Sequence, residues 1–282
     1  MKFFLITVLN LFALVTLAQE AGRWEGKFEQ LGQTLPTPNE YRSASGAPGP
    51  RYWQQKADYV IDVELNEPTN SIIGKETITY TNNSPDVLKY LWLQLDQNIL
   101  SSENTLANTT TGVVKDSVHA KTYASDVSDF KAGFDIKSVK DTNGKPLRFT
   151  INNTMMRVDL PQPLRSGEKY SFGIEWSFNI VDRSIFGQRS GMEFFPEDGN
   201  YVYTIAQFFP RMCVYDDYEG WQNKQFLGKG EFALPFGDYK VRITTPADHI
   251  VGATGTLQNP ADVLTKTEQE RLQKEKWTFD KP

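Results

Sequence analysis

Between Phe172 and Ile180 a large apolar side chain falls on every second residue. Phe172, Ile174, Trp176, Phe178 and Ile180 alternate with Gly173, Glu175, Ser177 and Asn179. A period of two belongs to a strand, not a helix. A slip of one residue would turn all five large groups to water, so the register of this strand is firmly set. The segment therefore demands a sheet with one covered face, and other stretches share its period. Tyr59, Ile61, Val63 and Leu65 alternate with Val60, Asp62 and Glu64. Ile72 to Thr81 is rich in Ile, Thr and Tyr, and the intervening Asn66 to Asn70 contains Pro68, so the two runs form a hairpin with a longer loop. Leu88 to Leu95 is apolar on both faces, with Leu91, Leu93 and Leu95 on one and Tyr90 and Trp92 on the other, which predicts a strand that is central or covered on both sides. Further strands are expected at Met156 to Leu160, Tyr201 to Ala206 and Tyr239 to Thr244, with a shorter one near Ile250 to Ala253. Asn143-Gly144 marks a tight turn. The fold class that follows is mainly β: a large antiparallel sheet or saddle-like β-sandwich with long loops and at most short helices.

One helix is expected near the end of the sequence. Thr265 and Glu268 have capping-box spacing, Glu270 and Lys274 form an i,i+4 pair, and the segment has almost no apolar face. Trp277-Thr278-Phe279 then reads as the start of another strand.

The first 18 residues have the layout of a secretory signal peptide: Lys2, an apolar run from Phe3 to Leu17, then Ala18 before Gln19-Glu20. Residues 19–51 carry many small residues, Pro and Gly and read as a flexible lead-in, with order beginning near Tyr52-Trp53. Residues 52–258 form the β domain. Residues 259–282 hold the short helix and the start of a connection. The polar stretch 100–128 reads as a long loop. No later stretch is apolar enough to span a bilayer, so the expectation is export to a periplasmic or extracellular location. Roughly 260 residues then remain, ample for a core. Cys213 is the single cysteine, so stability rests on packing rather than on disulfides.

Several function classes find no support. The net charge is −5, and no basic stripe with interleaved aromatics suggests a nucleic-acid partner. The two histidines, His119 and His249, share no metal-ligand spacing, so neither a metal nor a cofactor is expected in this sequence. There is no G-x-S-x-G, and Cys213 has no adjacent histidine. The acidic group Asp216, Asp217 and Glu219 admits acid/base work on a glycoside, calcium binding or a solvated turn beside Tyr215, Tyr218 and Trp221. Its spacing is not that of a calcium loop, which favours the turn. Asn-x-Ser/Thr sequons at Asn82, Asn108 and Asn152 suggest surface turns.

Three stretches together carry a resemblance. The first is Ala57 to Leu65 followed by Ile73-Gly74-Lys75-Glu76-Thr77-Ile78-Thr79-Tyr80-Thr81-Asn82, similar to a "G-x-x-x-I-x-Y-x-N" strand. The second is Leu91-Trp92-Leu93-Gln94-Leu95-Asp96-Gln97-Asn98. The third combines Gln207-Phe208-Phe209-Pro210-Arg211-Met212, then Phe236 to Pro246, then Ile250-Val251-Gly252-Ala253-Thr254-Gly255-Thr256-Leu257. In this order they resemble the N-terminal domain of the aminopeptidase N family of zinc metallopeptidases, exported bacterial type, over most of residues 52–258. The resemblance implies a non-catalytic part of an enzyme that removes N-terminal residues from peptides. The family's G-x-M-E-N loop, H-E-x-x-H helix and third zinc ligand are absent from the sequence. They and the zinc are expected in a following catalytic domain, the implied partner, whose cleft this domain would close on one side. No catalytic residue is therefore expected here. The candidates for that cleft or interface are Gln207, Phe208, Phe209, Pro210, Arg211, Asp216 and Asp217. Gln207 is a loose candidate for the family's pocket-lining glutamine. Cys213 and the two aspartates fall later than the family pattern places its cysteine and acids. For the two phenylalanines, ordinary burial is the stronger expectation. A second reading is a secreted β-sandwich binding module for glycan or protein.

Overall fold

The computed structural model describes residues 38–101, 117, 119–120, 130–186, 190–228, 230 and 233–279. The signal peptide, most of the lead-in, most of the 100–128 stretch and the Asn108 sequon lie outside the described residues. Residues up to Thr245 form one compact unit and Pro246 onward a second.

In the first unit, β1 (Lys56–Asn66), β2 (Ser71–Thr81), β4 (Asp135–Asp141), β7 (Lys169–Asn179) and β13 (Tyr239–Thr244) make a five-stranded sheet in the order β13-β1-β2-β7-β4. A four-stranded sheet follows the order β10-β3-β6-β5, from β10 (Arg211–Met212), β3 (Leu88–Gln94), β6 (Met155–Leu164) and β5 (Phe149–Asn152). The inward residues of both sheets belong to one buried cluster. The expected β-rich fold is thus observed, as sheets that share a core. Among the described residues the strands of these two sheets pair antiparallel, except β1 with β13, which run parallel.

The register explains the alternation. Across β1, β2 and β7 the inward rows read Tyr59–Ile78–Phe172, Ile61–Glu76–Ile174, Val63–Gly74–Trp176 and Leu65–Ile72–Phe178. Gly74 is where a side chain is missing because Trp176 needs the space: a Cβ there would fall on the indole ring. The loop between β1 and β2 is a 3-10 turn over Glu67–Thr69, with Asn66 accepting from Thr69 N–H and Asn70 in the left-handed region (φ 45°). As expected of a strand apolar on both faces, β3 is internal, between β10 and β6. On its second face the Arg157 guanidinium lies 4.3 Å from the Tyr90 ring centroid.

Several expectations need correction. The strand expected at Met156 to Leu160 is longer, Met155–Leu164. Asn82 is not a surface turn but wholly buried. Its Oδ1 accepts from Gln55 Nε2 (3.0 Å) and Ser84 Oγ (2.6 Å), while Nδ2 donates to the carbonyls of Asp86 (2.7 Å) and Leu164 (3.0 Å). A buried amide is stable only when satisfied in this way. Asn82 therefore joins the end of β2 to Gln55, just before β1, and to the end of β6. Residues 38–51, read as lead-in, carry an Arg42–Pro48 bridge, and Arg42 Nε donates to both carboxylate oxygens of Asp217 at 2.9 Å.

A second hairpin, β8 (Gly191–Phe195) with β9 (Asn200–Thr204), follows the short helix α1 (Arg183–Phe186). A third joins β11 (Tyr215–Asp216) to β12 (Gly220–Trp221).

The second unit holds α2 (Pro260–Val263) and α3 (Lys266–Glu275). The capping box of α3 is formed: Thr265 N–H donates to Glu268 Oε2 (2.8 Å), and Glu268 N–H to Thr265 Oγ1 (3.3 Å). No residue of this helix is buried. Neither the expected strand near Ile250 to Ala253 nor the one starting at Trp277 is present. β-Branched and aromatic residues favour a strand only when a neighbouring strand receives them, and among the described residues none does.

Candidate functional site

The sequence Gln207 to Met212 leads from the loop after β9 into β10, and four elements hold its backbone. Gln97, in the 3-10 turn that follows β3 (Asp96–Leu100), donates its side-chain N–H to the carbonyls of Ala206 (2.9 Å) and Gln207 (3.2 Å). Trp176 of β7 donates its indole N–H to Phe208 O at 2.9 Å. Tyr59 of β1 accepts from Met212 N–H at 2.9 Å. Cys213 N–H donates to Trp92 O of β3 at 2.8 Å. Every holder sits on a strand of the core or directly after one, so the segment inherits the rigidity of both sheets.

Side chains reinforce this. Arg211 donates through Nε (2.9 Å) and Nη2 (2.5 Å) to Asp96 Oδ2, and the Asp96 side chain is 1% exposed. This is a charge-assisted contact of the strong kind. Phe209 packs edge-on against Tyr59 (5.5 Å between centroids), and Tyr59 stacks on Tyr239 at 4.7 Å. Phe208 and Phe209 are half-buried against the core and Pro210 is buried. Burial raises the Tyr59 hydroxyl well above its ordinary pKa, with nearby Glu76 adding to it. Tyr59 therefore stays neutral at all ordinary pH.

Gln207 stands apart. It adopts φ +51°, whereas the other described non-glycine residues with positive φ are both asparagines, Asn70 and Asn153. Asparagine tolerates the left-handed region; for other residues it is a strain of about 1–3 kcal/mol that surrounding structure must hold. Its side-chain amide is half-exposed and has no protein partner among the described hydrogen bonds.

The two aspartates are arranged differently. Asp216 uses Oδ1 to accept from the N–H groups of Tyr218 (3.1 Å) and Glu219 (2.8 Å), and Oδ2 from Gln222 (3.1 Å). It closes the β11–β12 turn. Asp217, 7% exposed, is bound to Arg42. The structure thus brings Gln207 to Arg211 together as one braced segment and gives Asp216 and Asp217 bracing roles of their own.

Glu76 and the bracing contacts escaped the sequence reading. Glu76 lies in the core at 3% exposure with neither carboxylate oxygen bonded, and burial raises its pKa well above the ordinary value. Its place among Ile72, Gly74, Ile78 and Tyr80 on the inward face was available from period-two counting. The bracing roles of Trp176 and Tyr59 had no local signal. Cys213 is buried and its thiol is pushed up by burial, which leaves it inert as a nucleophile. A recess of about 490 Å³ on the outer face of the five-stranded sheet includes Asp62, Lys75, Lys140, Glu175 and Arg242. Arg242 and Lys75 both meet Asp62, and Ser138 donates to Glu175 at 2.8 Å. Gln207 is not among its lining residues, and nothing in it points to a reaction.

No group of three or more His, Cys, Asp or Glu suited to a metal ion occurs among the described residues, and no helix among them is long and apolar enough to cross a membrane.

No family model and no curated protein matches the sequence. Solved structures do. An M1 zinc metallopeptidase from Deinococcus radiodurans is 13% identical at a TM-score of 0.35, covering 73% of this chain and 37% of its own. A mutant of that protein bound to a Tyr-Ser-Ala substrate is 15% identical at a TM-score of 0.34, with the same coverage. A two-domain M1 zinc metallopeptidase mutant bound to L-tryptophan is 14% identical at 0.34, covering 75% of this chain and 39% of its own. The chain therefore spans well under half the length of these proteins, and likeness at this level says nothing of activity.

Proposed function

We propose that this chain is the N-terminal, non-catalytic part of an exported, zinc-dependent aminopeptidase-type metallopeptidase. It packs against a catalytic domain and forms one side of the substrate cleft. The sequence resemblance suggests the reading, and one observation carries it. Gln207 is held in a strained backbone conformation by a segment braced from β1, β3, β7 and the turn after β3, with its amide free. A protein that spends strain and four anchors on presenting one amide has a use for it. An amide oxygen accepts from an ammonium group, which fits the N-terminus of a peptide. Positioning of this kind lowers a barrier by orientation without taking part in bond making.

The zinc of such an enzyme would polarise the scissile carbonyl and activate water. No group among the described residues suits that ion, and its ligands would be supplied by the catalytic domain. The role left to this chain is to bind and orient, with Phe208, Phe209 and Pro210 excluding water behind Gln207.

The test begins with the coding sequence continuing in frame from Pro282. An H-E-x-x-H with a later glutamate is expected there. In the parent protein, Gln207→Ala should raise KM for peptides with a free amino terminus by on the order of tenfold, the worth of one charge-assisted hydrogen bond. An unchanged KM, or a parent without zinc-ligand motifs, overturns the proposal.

A further inference from the structure

The inward rows of β1, β2 and β7 hold one carboxyl, Glu76, whose register partners are Ile61 and Ile174. The chain's own strands enclose it at 3% exposure, and neither oxygen is hydrogen-bonded. Residues two apart on a strand share a face. On one side of Glu76 is therefore Gly74, the position over which the Trp176 indole lies. On the other side is Ile78, the partner of Tyr59, which stands diagonal to Glu76 and within reach of it. Both neighbours hold the Gln207 segment. Tyr59 accepts from Met212 N–H, and Trp176 donates to Phe208 O. An unpaired carboxyl thus lies in the row between two anchors of one segment.

The groups that bear on Glu76 come from each element packed around it. β1 contributes Tyr59 and β13 contributes Tyr239, whose hydroxyls both feel a Glu76 charge. β10 contributes Arg211, which acts on the same two tyrosines but is held by Asp96. From β7 come Ile174 and Trp176, and the facing sheet turns Leu91, Leu93, Met156 and Val158 into the same core. None of these six is charged. As an acid, Glu76 is neutral and stays unbonded at modest cost. As a carboxylate it does not, because a buried charge without donors costs far more than a buried neutral group. The Tyr59 hydroxyl accepts from Met212, and its own proton has no acceptor among the described hydrogen bonds. No hydrogen bond joins it to Glu76, so the ring must shift to reach the carboxylate, and its oxygen then leaves Met212 N–H.

We propose that Glu76 makes the presentation of Gln207 depend on pH. With its proton, the segment is braced as described; when the proton passes to water, the carboxylate draws the Tyr59 hydroxyl away from Met212 N–H and slackens the segment at that end. The Arg211–Asp96 pair and the Trp176 anchor remain, so the change is local. Burial raises the pKa of Glu76 well above its ordinary value, which puts the braced form below that raised pKa and the slack form above it. Glu76 acts here as a positioning residue, through Tyr59. The device belongs to the segment itself and does not depend on the peptidase reading.

The test is a pH titration of the full chain from pH 5 to pH 10 by nuclear magnetic resonance. It follows the Glu76 side-chain carboxyl carbon, the Met212 amide and the Trp176 indole N–H. The carboxyl carbon and the Met212 amide are expected to shift together, with one midpoint above the usual carboxylate range. Protection of the Met212 amide from exchange, corrected for the intrinsic rate, should fall about tenfold across that midpoint, the worth of one hydrogen bond, while the Trp176 indole keeps its protection. Glu76→Gln retains a neutral polar group of the same shape and should hold Met212 protection level over the whole range. Glu76→Met serves the same purpose if the glutamine variant does not fold. A Met212 change that persists in either variant, a Glu76 carboxyl that titrates without moving Met212, no titration of Glu76 while the chain stays folded, or loss of Trp176 protection in the same step would each overturn the proposal.

Discussion

Replacing Glu76 by methionine should stabilise the protein, more so as pH rises. Glu76 sits between Ile61 and Ile174 in the inward row of the five-stranded sheet, and neither of its oxygens has a partner. An unsatisfied buried polar group costs about 1–3 kcal/mol even when uncharged. Methionine is unbranched, of similar length, and has no polar group to satisfy, so the expected gain is about 1–3 kcal/mol at pH 5. That is a large share of a total near 5–15 kcal/mol. The pH dependence follows from proton counting. Burial raises the folded pKa of Glu76 above its ordinary value of 4.5. Between the ordinary and the folded pKa the unfolded chain has lost the proton and the folded chain keeps it. The stability that Glu76 allows is thus fully present below the ordinary pKa. It falls by about 1.4 kcal/mol per pH unit as pH rises through the window, levelling off above the folded pKa. Asp62 acts in a separate acid window. Its hydrogen bond to Arg242 holds it below the ordinary range, so its contribution is present above about pH 4 and is lost as pH falls through its folded pKa. Urea unfolding of the native chain and of Glu76→Met at pH 5, 6, 7 and 8 measures the difference. The gap between the two should widen with pH. Glu76→Gln should flatten the dependence while keeping the cost of an unpaired polar group. Parallel pH profiles, or a methionine variant weaker at every pH, would refute the reasoning and mean that the carboxylate is bonded in solution.

Two further substitutions test the bracing of the Gln207 segment, and a third tests the buried amide of Asn82. Gly74→Ala drives a methyl into the Trp176 indole and should cost about 1–3 kcal/mol by overpacking; a change in tryptophan emission would report the displaced ring that holds Phe208. Arg211→Met removes the guanidinium from Asp96, which is almost wholly buried, and should cost about 3–5 kcal/mol in urea unfolding. Asn82→Ala unpairs Gln55, Ser84 and two carbonyls at once and should lower stability by at least about 2 kcal/mol, where a surface sequon would give almost none.

What the sequence made legible was the part of the structure that repeats locally. The alternation from Phe172 to Ile180 places its residues inward because the period of a strand is a property of the backbone. The same arithmetic locates β1, β2 and β13 and, followed one step further, puts Glu76 in the core. It fails at Ile250 to Ala253 and at Trp277, where strand-favouring residues have no neighbouring strand among the described residues to receive them. The segment's order was legible as a motif, but its conformation was not. The anchors Trp176, Tyr59, Gln97 and Asp96 lie between 32 and 153 residues away in the chain, and no local pattern encodes a contact over such a distance. Gln207 shows the consequence most clearly. A glycine or asparagine would have announced a left-handed residue, whereas glutamine announces nothing. Its φ is imposed from outside, by Gln97 on one flank and Trp176 on the other. Gly74 exists to let Trp176 reach across. The strain at Gln207 and the missing side chain at residue 74 are therefore two ends of one arrangement, joined through a single indole. A sequence position with no side chain in the core is thus part of what fixes an amide at the surface.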